Sequence, residues 1–198
     1  MLSTSYDANR KSLYHPGETD DFFRLGPMKN DAAMCEEMSR LTYVKGESRL
    51  AQYLNRAGFE LDMAIDYGSG GTQVFVANRQ DDSLAVVAFR GTEPDNPSDL
   101  FTDANFVFTP WADNSGKLLG KVHKGFATAL QDNDILGTVI TCLDSLVTST
   151  RILLTGQRLG AALATLSASR MPLSNLYAFG SEVYRQKRPA TGIRVRRQ

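Results

Sequence analysis

The sequence contains only two cysteines and two histidines among its 198 residues. Cys35, Cys142, His15 and His123 are far apart along the chain, and no group of them has the spacing of metal ligands. Two cysteines are also too few for a disulfide framework. We therefore expect no metal site, and nothing in the sequence indicates another cofactor.

Long apolar runs are missing as well. No stretch of 18 apolar residues is present, so we expect no transmembrane segment. The first residues, MLSTSYDANRKSLYHPGE, lack the apolar core of a secretory signal. The sequence therefore predicts a cytoplasmic protein, with external processing or another secretion route left open.

The chain has no net charge, so no overall field favours nucleic acid or a membrane. The charge is nevertheless uneven, because residues 185–198 hold six cations and no acidic residue: Arg185, Lys187, Arg188, Arg194, Arg196 and Arg197. Such a basic tail is typical of a solvated terminus. Contact with nucleic acid or an anionic membrane is the alternative, and stacking aromatics are nearly absent from the tail. We do not expect nucleic acid to be a partner.

The remaining composition, 42% apolar and 22% charged, is typical of one globular domain. Residues 1–30 are polar, contain prolines and glycines, and predict an irregular arm before a domain over 31–184. Asn30 or Asp31 is placed to cap a helix over about 32–44, and a shorter helix follows Ser48 and ends at Gly58.

Strand patterns come next. Residues 59–65 carry Phe59, Leu61, Met63 and Ile65 at alternate positions, which predicts a half-buried strand. Residues 72–79 predict a second strand, followed by a turn over 80–83. Residues 84–89, LAVVAF, are continuously apolar and predict a central strand.

The second half alternates helices and strands. Residues 91–120 are predicted to be rich in loops, with a short helix near Ser98. Helical periodicity returns over 124–149 with a break at 132–134. A strand over 151–155, a helix over 158–170 and a strand over 176–179 follow. This order predicts an α/β fold with a mostly parallel sheet and helices on both faces.

The segment RILLTGQRLGAALA, residues 151–164, passes from an apolar strand through two glycines into a helix of small residues. This is the layout of the nucleophile elbow G-x-S-x-G, which presents a serine above a hydrolase sheet. The middle position holds Arg158. We expect Gly156 and Gly160 to enforce the tight turn, and Arg158 to keep a positive φ.

Three motifs in sequence order resemble the class 3 (fungal-type) lipase family: VVAFRGT with DLFTDAN, then VHKGF, then LLTGQRLG with LYAFGS. The resemblance spans roughly residues 70–181. It implies an α/β-hydrolase fold and an ancestral activity on lipid esters, with a lipid ester or a fatty acid as partner.

The resemblance also assigns roles to single residues. Thr92 and Leu159 match the two oxyanion-hole positions, whose N–H groups face the developing oxyanion. His123 matches the histidine before the Gly-Phe pair, and we interpret it as structural support. The aromatics after Thr92 match a lid or acyl-groove region, although they are also typical of core or groove wall: Phe101, Phe106, Phe108 and Trp111.

The chain departs from the family at the residues that would carry out catalysis. Arg158 occupies the nucleophile position, and a guanidinium stays protonated and has no lone pair with which to attack. The seventeen residues after Ser181 contain neither aspartate nor histidine, so the fold is expected to be C-terminally short, without the acid and base of the triad. Four other serines lie away from the turn: Ser145, Ser149, Ser167 and Ser169.

Three hypotheses remain at this point. The chain is a lipase-like domain without activity, either a degenerate homologue or a fragment; or an active ester hydrolase with unrecognised catalytic residues; or a binding protein. In the third, Arg158 with the N–H groups of Thr92 and Leu159 would hold a fatty-acid carboxylate. A solvent-facing Arg158 is the simpler expectation. The sequence leaves the oligomeric state open.

Overall fold

The structure, a computed structural model, describes residues 16–28, 30–65, 72–91, 107–146, 149–171 and 173–180. In this part of the chain, five α-helices and seven strands form one layered unit. The helices are α1 (Asp31–Leu41), α2 (Glu47–Asn55), α3 (Lys124–Gln131), α4 (Ile135–Asp144) and α5 (Leu159–Ala168). The strands are β1 (Glu60–Ile65), β2 (Val74–Arg79), β3 (Leu84–Phe89), β4 (Phe108–Ala112), β5 (Leu118–His123), β6 (Arg151–Gln157) and β7 (Asn175–Phe179).

Five strands form the main sheet in the order β1-β2-β3-β6-β7. Strands β3, β6 and β7 are parallel neighbours, whereas β2 is antiparallel to both β1 and β3. Four of the five strands therefore run in one direction and β2 runs against them. The predicted α/β fold is confirmed as a mixed sheet, and the predicted adjacency of the strands near 84–89, 151–155 and 176–179 is confirmed.

The continuous apolar run of β3 follows from its central place. Leu84, Val86 and Ala88 point into a core shared with α1 and α2, while Val87 and Phe89 point into a second core shared with α3, α4 and α5. Every side chain of β3 is buried. A strand covered by helices on both faces has no polar side, which explains why the run lacks alternation.

Strand β1 departs from the predicted alternation. Its register against β2 shifts between Leu61 and Met63, which marks a β-bulge. As a result, Leu61 packs with the α1–α2 core, whereas Met63 and Ile65 pack with the opposite core. The prediction that these side chains share one face is wrong, because a bulge inserts a residue that reverses the alternation beyond it.

Residues 16–28 of the predicted N-terminal arm are irregular but packed. Phe22 and Phe23 are buried against α1 and α2. Arg40, itself buried, binds Glu37 and Asp21 at 2.9 and 2.8 Å. Burial raises the pKa of Glu37. Burial also acts to raise the pKa of Asp21, but hydrogen bonds from Arg40 and Thr19 outweigh it and lower that pKa. A buried cation thus attaches this segment to the domain.

The stretch predicted to be loops over 91–120 contains a β-hairpin. Strands β4 and β5 pair antiparallel in a separate two-stranded sheet, with a register shift between Trp111 and Ala112. Pro110 within β4 and the short, partly polar runs hide this hairpin from the sequence pattern. The predicted helix near Ser98 lies outside the described residues. The predicted helix break at 132–134 is confirmed as a 3₁₀ turn between α3 and α4.

Candidate functional site

The β6–α5 corner is the turn from Gln157 through Arg158 to Leu159, at the carboxyl end of the parallel strands. Strand β6 ends at Gln157 and helix α5 begins at Leu159, so Arg158 alone makes the turn. Its backbone has φ 52° and ψ −118°. The predicted positive φ at Arg158 is confirmed. Such a conformation costs a non-glycine residue about 1–3 kcal/mol and persists only where its surroundings enforce it.

Close backbone contacts hold Arg158 in this conformation. A Cβ atom on Gly156 would lie 2.4 Å from the carbonyl oxygen of Gly160, and one on Gly160 would lie 2.2 Å from the carbonyl oxygen of Phe89. Neither position has room for a side chain. The first turn of α5 therefore packs directly against the backbones of β6 and β3. This agrees with the tight turn that was expected from the two glycines.

Two further contacts bring the neighbouring strand ends to the corner. The N–H of Arg158 donates to the carbonyl oxygen of Phe179, at the end of β7, at 2.9 Å. A Cβ on Gly91, just after β3, would lie 2.2 Å from the carbonyl oxygen of Gln157. The ends of β3, β6 and β7 thus converge on Arg158.

Arg158 is partly buried, and its guanidinium facing solvent stays a prediction. It lies at the N-terminus of α5, where the first N–H groups of a helix lack intrahelical acceptors. Leu159, the first residue of α5, is partly buried and packs against the core. Its N–H as an oxyanion donor stays a prediction, and Thr92, the other expected donor, lies outside the described residues.

Sequence reasoning missed the residues that support the strand end beside the corner. The N–H of Arg90 donates to the carbonyl of Gln73 at 2.9 Å, and its guanidinium donates to the Gln73 side chain. The same guanidinium lies 5.2 Å from the centre of the Tyr43 ring. The Tyr43 hydroxyl is 2.7 Å from the place where a Gly91 Cβ would be. The only sequence signal for this cluster was that the segment around Arg90 belongs to one of the three motifs that resemble the family.

The structure places His123 at the N-terminus of α3. Its Nδ1 accepts a hydrogen bond from the N–H of Gly125 at 3.2 Å, and its ring lies 5.1 Å from that of Phe126. Such an interaction caps a helix. The interpretation of His123 as structural support agrees with this geometry, whereas His15 lies outside the described residues.

The aromatics assigned to a lid region separate in the structure. Trp111 is buried, and its Nε1 donates to the hydroxyl of Ser169 at 2.8 Å, so it belongs to the core. Phe108 is 41% exposed on the hairpin. Phe101 and Phe106 lie outside the described residues.

The other serines have structural surroundings. Ser169 donates to the carbonyl of Leu166 and Ser145 to that of Cys142, so each hydroxyl bonds its own helix. Ser167 is fully buried, and Ser149 is exposed. In the described ranges these serines contribute nothing to the β6–α5 corner.

A groove of about 530 Å³ opens near the Arg90 cluster, between the α1–α2 connection and strands β1 and β2. Gln73 lines the end nearest Arg90, while Val44, Ile65 and Phe75 form apolar walls. Among the described residues no three His, Cys, Asp or Glu side chains cluster as metal ligands would. None of the helices that the structure describes has the length and apolarity to cross a bilayer.

Comparison with known proteins relates this site to one family. A family model described as Lipase (class 3) matches residues 86–185, about half of the chain. No curated protein matches the chain.

Three solved structures share the fold. A lipase from Rhizopus microsporus var. chinensis is 21% identical with a TM-score of 0.56, over 77% of this chain and 59% of its own. Lipase II from Rhizopus niveus is 19% identical with a TM-score of 0.55, over 77% and 64%. A Rhizomucor miehei lipase in complex with its propeptide is 22% identical with a TM-score of 0.50, over 66% and 43%. This chain thus spans between 43% and 64% of the length of these three structures.

Proposed function

Because the chain belongs to the class 3 lipase family, we propose that it is a lipase-fold domain of lipid metabolism whose β6–α5 corner does not hydrolyse esters. The observation that carries this proposal is Arg158 at the apex of the corner. In a serine hydrolase this residue would be the attacking group, with its hydroxyl activated by a neighbouring imidazole. Arg158 supplies no such nucleophile, because its guanidinium is a permanent cation without a free lone pair.

The backbone conformation of the β6–α5 corner also supports this proposal. The positive φ of Arg158 and the close contacts at Gly156 and Gly160 are what a family member needs to present a side chain above the sheet. We infer that the chain keeps the family's scaffold while its reactive group is replaced.

A second candidate function follows from the partial burial of Arg158. A cation beside the first N–H groups of α5 combines two features that bind anions, a charge-assisted donor and the positive end of a helix. We infer that this corner binds the carboxylate of a fatty acid, the class of molecule that lipid-ester hydrolysis produces. The groove near the Arg90 cluster has apolar walls with the chemistry to contact an alkyl chain.

Ester hydrolysis tests the first proposal. We expect the 198-residue chain to turn over a short-chain p-nitrophenyl ester no faster than a solution of denatured chain. Arg158→Ser, alone or with Gln157→His, should not restore activity at the level of an intact triad, because a serine without a base keeps its proton. At most, a retained oxyanion hole and binding would supply about 10³–10⁴-fold over water.

Two results would contradict this proposal. One is parental turnover that a serine-directed phosphonate abolishes, which would reveal an unrecognised nucleophile. The other is a gain of several orders of magnitude in Arg158→Ser that His123→Ala removes, which would make His123 a base and the hydrolase hypothesis the better one.

Calorimetric titration tests the second candidate. We expect oleate to bind and methyl oleate to bind at least tenfold more weakly, since the ester has no charge for Arg158 to contact. Arg158→Gln should remove this discrimination. The matched control is Arg24→Gln, which deletes an exposed guanidinium elsewhere and should leave oleate affinity unchanged. Equal oleate affinity in the parent and Arg158→Gln would refute carboxylate binding at the corner.

A further inference from the structure

Two hydroxyl groups are buried together beneath the β6–α5 corner. Ser39 lies in α1 and Thr155 in β6, three residues before Arg158, and both side chains are fully buried. Their oxygen atoms lie 2.8 Å apart, although the two residues are 116 positions apart in the sequence. Buried hydroxyls persist in a core only where they find hydrogen-bond partners. We call these two side chains the hydroxyl pair.

The partners of the hydroxyl pair come from α1 and β7. The Ser39 hydroxyl donates to the carbonyl of Cys35 in α1 at 2.8 Å, and the Thr155 hydroxyl donates to the carbonyl of Tyr177 in β7 at 2.8 Å. The Cys35 carbonyl also lies 3.1 Å from the Thr155 oxygen. Each hydroxyl has one proton, so two protons serve these contacts and the one between the two hydroxyls. The hydroxyl pair thus joins α1, β6 and β7 at one point.

The end of β6 is fixed from both faces of the sheet. Thr155 and Gly156 are adjacent in this strand, so they point to opposite faces. Thr155 contacts α1 on one face. On the other face, a Cβ on Gly156 would lie 2.4 Å from the backbone of Gly160 in α5. Both contacts lie immediately before the chain turns at Arg158.

The hydroxyl pair also fixes β7 against β6. The carbonyl of Tyr177 accepts from the Thr155 hydroxyl. Two residues further along β7, the carbonyl of Phe179 accepts from the N–H of Arg158 at 2.9 Å. The same strand therefore receives one hydrogen bond from the hydroxyl pair and one from the corner. Because the positive φ of Arg158 persists only where its surroundings enforce it, the position of β7 beside β6 matters to the corner.

We propose that Ser39 and Thr155 are positioning residues for the β6–α5 corner. By holding β6 and β7 against α1, they keep Arg158 in its positive-φ conformation and thereby set the affinity of the corner for a carboxylate. Neither hydroxyl contacts the ligand, because both are buried in the core. The conformational effect stands on the geometry alone, whereas the effect on affinity rests on the proposed binding of a fatty-acid carboxylate.

Hydrogen exchange of the Arg158 amide tests the conformational effect, because this N–H bonds to Phe179 at the corner. Its exchange rate is divided by that of the Val87 amide in the central strand β3, since this ratio cancels changes in global stability. Thr155→Val removes the hydroxyl and keeps the shape of the side chain. We expect it to raise the ratio about tenfold or more, whereas Thr155→Ser, which keeps the hydroxyl, should stay within about threefold of the parent.

Two further variants separate positioning from a general loss of stability. Ser39→Ala breaks the link to α1 but leaves the Thr155–Tyr177 bond, so it should raise the ratio by about threefold. It also decides the matter if Thr155→Val does not fold. The matched control is Asp21→Asn, which weakens the ion pair with Arg40, the residue next to Ser39 in α1. This control should lower the melting temperature and leave the exchange ratio unchanged.

Calorimetric titration tests the effect on affinity. In Thr155→Val, the preference for oleate over methyl oleate should fall by about fivefold or more, because a site that is held loosely loses its geometry. Thr155→Ser and Asp21→Asn should keep the preference of the parent. If the parent chain binds no oleate, the carboxylate-binding candidate fails, and the exchange ratio alone decides whether the hydroxyl pair positions the corner.

Two outcomes would overturn the proposal. One is an exchange ratio in Thr155→Val, and in Ser39→Ala, equal to that of the parent. The hydroxyl pair would then stabilise the core without positioning Arg158. The other is a rise in the ratio for Asp21→Asn as large as that for Thr155→Val, which would mean that any loosening of α1 disturbs the corner.

Discussion

Glycines occur in both the β6–α5 corner and the β4–β5 hairpin, but for opposite reasons. In the corner, an added Cβ at Gly156 or Gly160 would meet backbone atoms at 2.2–2.4 Å. In the hairpin, an added Cβ at Gly116 or Gly120 would meet nothing within 4 Å, and these glycines are marked by positive φ values of 83° and 144°. The corner needs the absence of a side chain, and the hairpin needs only a permissive backbone.

This difference shows how the two regions tolerate change. The corner joins the ends of three strands and the start of a helix, so its backbone cannot yield without moving the sheet. The hairpin contacts the domain on one face and leaves the other open. Substitutions at the apex of the corner or on the open face of the hairpin are thus expected to leave the fold intact.

The largest effect is expected for Gly160→Ala. The new Cβ would lie 2.2 Å from the carbonyl oxygen of Phe89 and 2.8 Å from the carbonyl carbon of Arg90, and backbone cannot rotate away as a side chain can. We expect a loss of about 3 kcal/mol or more in the free energy of unfolding, or a melting temperature lower by roughly 10 °C. Urea unfolding followed by circular dichroism measures it. A loss below about 1 kcal/mol would mean that the corner is no tighter than the hairpin.

Trp111→Phe should produce the next largest effect, on the fixed face of the hairpin. It removes the hydrogen bond to Ser169 and part of the packing under Arg170. We expect the free energy of unfolding to fall by about 1–3 kcal/mol. Phe108→Leu on the open face is the control and should change it by less than about 0.5 kcal/mol. Equal losses from both substitutions would remove the distinction between the two faces.

The apex of the corner should prefer glycine to alanine. At residue 158, Gly adopts φ 52° and ψ −118° freely while Ala is strained, so Arg158→Gly should be more stable than Arg158→Ala by about 1–2 kcal/mol. Comparing these two variants cancels the loss of the arginine side chain. At Thr165 inside α5, the same pair should show the reverse order, by about 1 kcal/mol. If the alanine variant were the more stable one at residue 158 as well, the turn would relax once Arg158 is removed.

The smallest effect is expected at the hairpin turn. Gly116→Ala meets open space but keeps φ 83°, and should cost about 1 kcal/mol. Gly116→Asn should cost less, because asparagine tolerates left-handed conformations better than alanine. Thermal unfolding of both variants checks this. If Asn were as costly as Ala, the positive φ would not be the reason for glycine at this turn.

Much of the site could be predicted from local pattern. The spacing of Gly156 and Gly160 around Arg158 predicted both the turn and the positive φ, because tight strand-to-helix turns leave few alternatives. The apolar run 84–89 predicted a central strand, and the break at 132–134 predicted two helices. By contrast, the bulge in β1 and the hairpin over 108–123 were not predicted, since strand pairing depends on partners distant in sequence.

The sequence by itself determined the family, the order of the strands and helices other than β4 and β5, and the presence of Arg158 in the middle of the strand-to-helix turn, because each depends on residue types at short spacing. Only the tertiary structure decided which backbones meet at the corner, that Arg158 is partly buried, and which face of the hairpin stays open. Residues 73, 91 and 157 come together only when β2, β3 and β6 align in one sheet. Local periodicity encodes the elements, whereas close approach between them is a property of the packed chain.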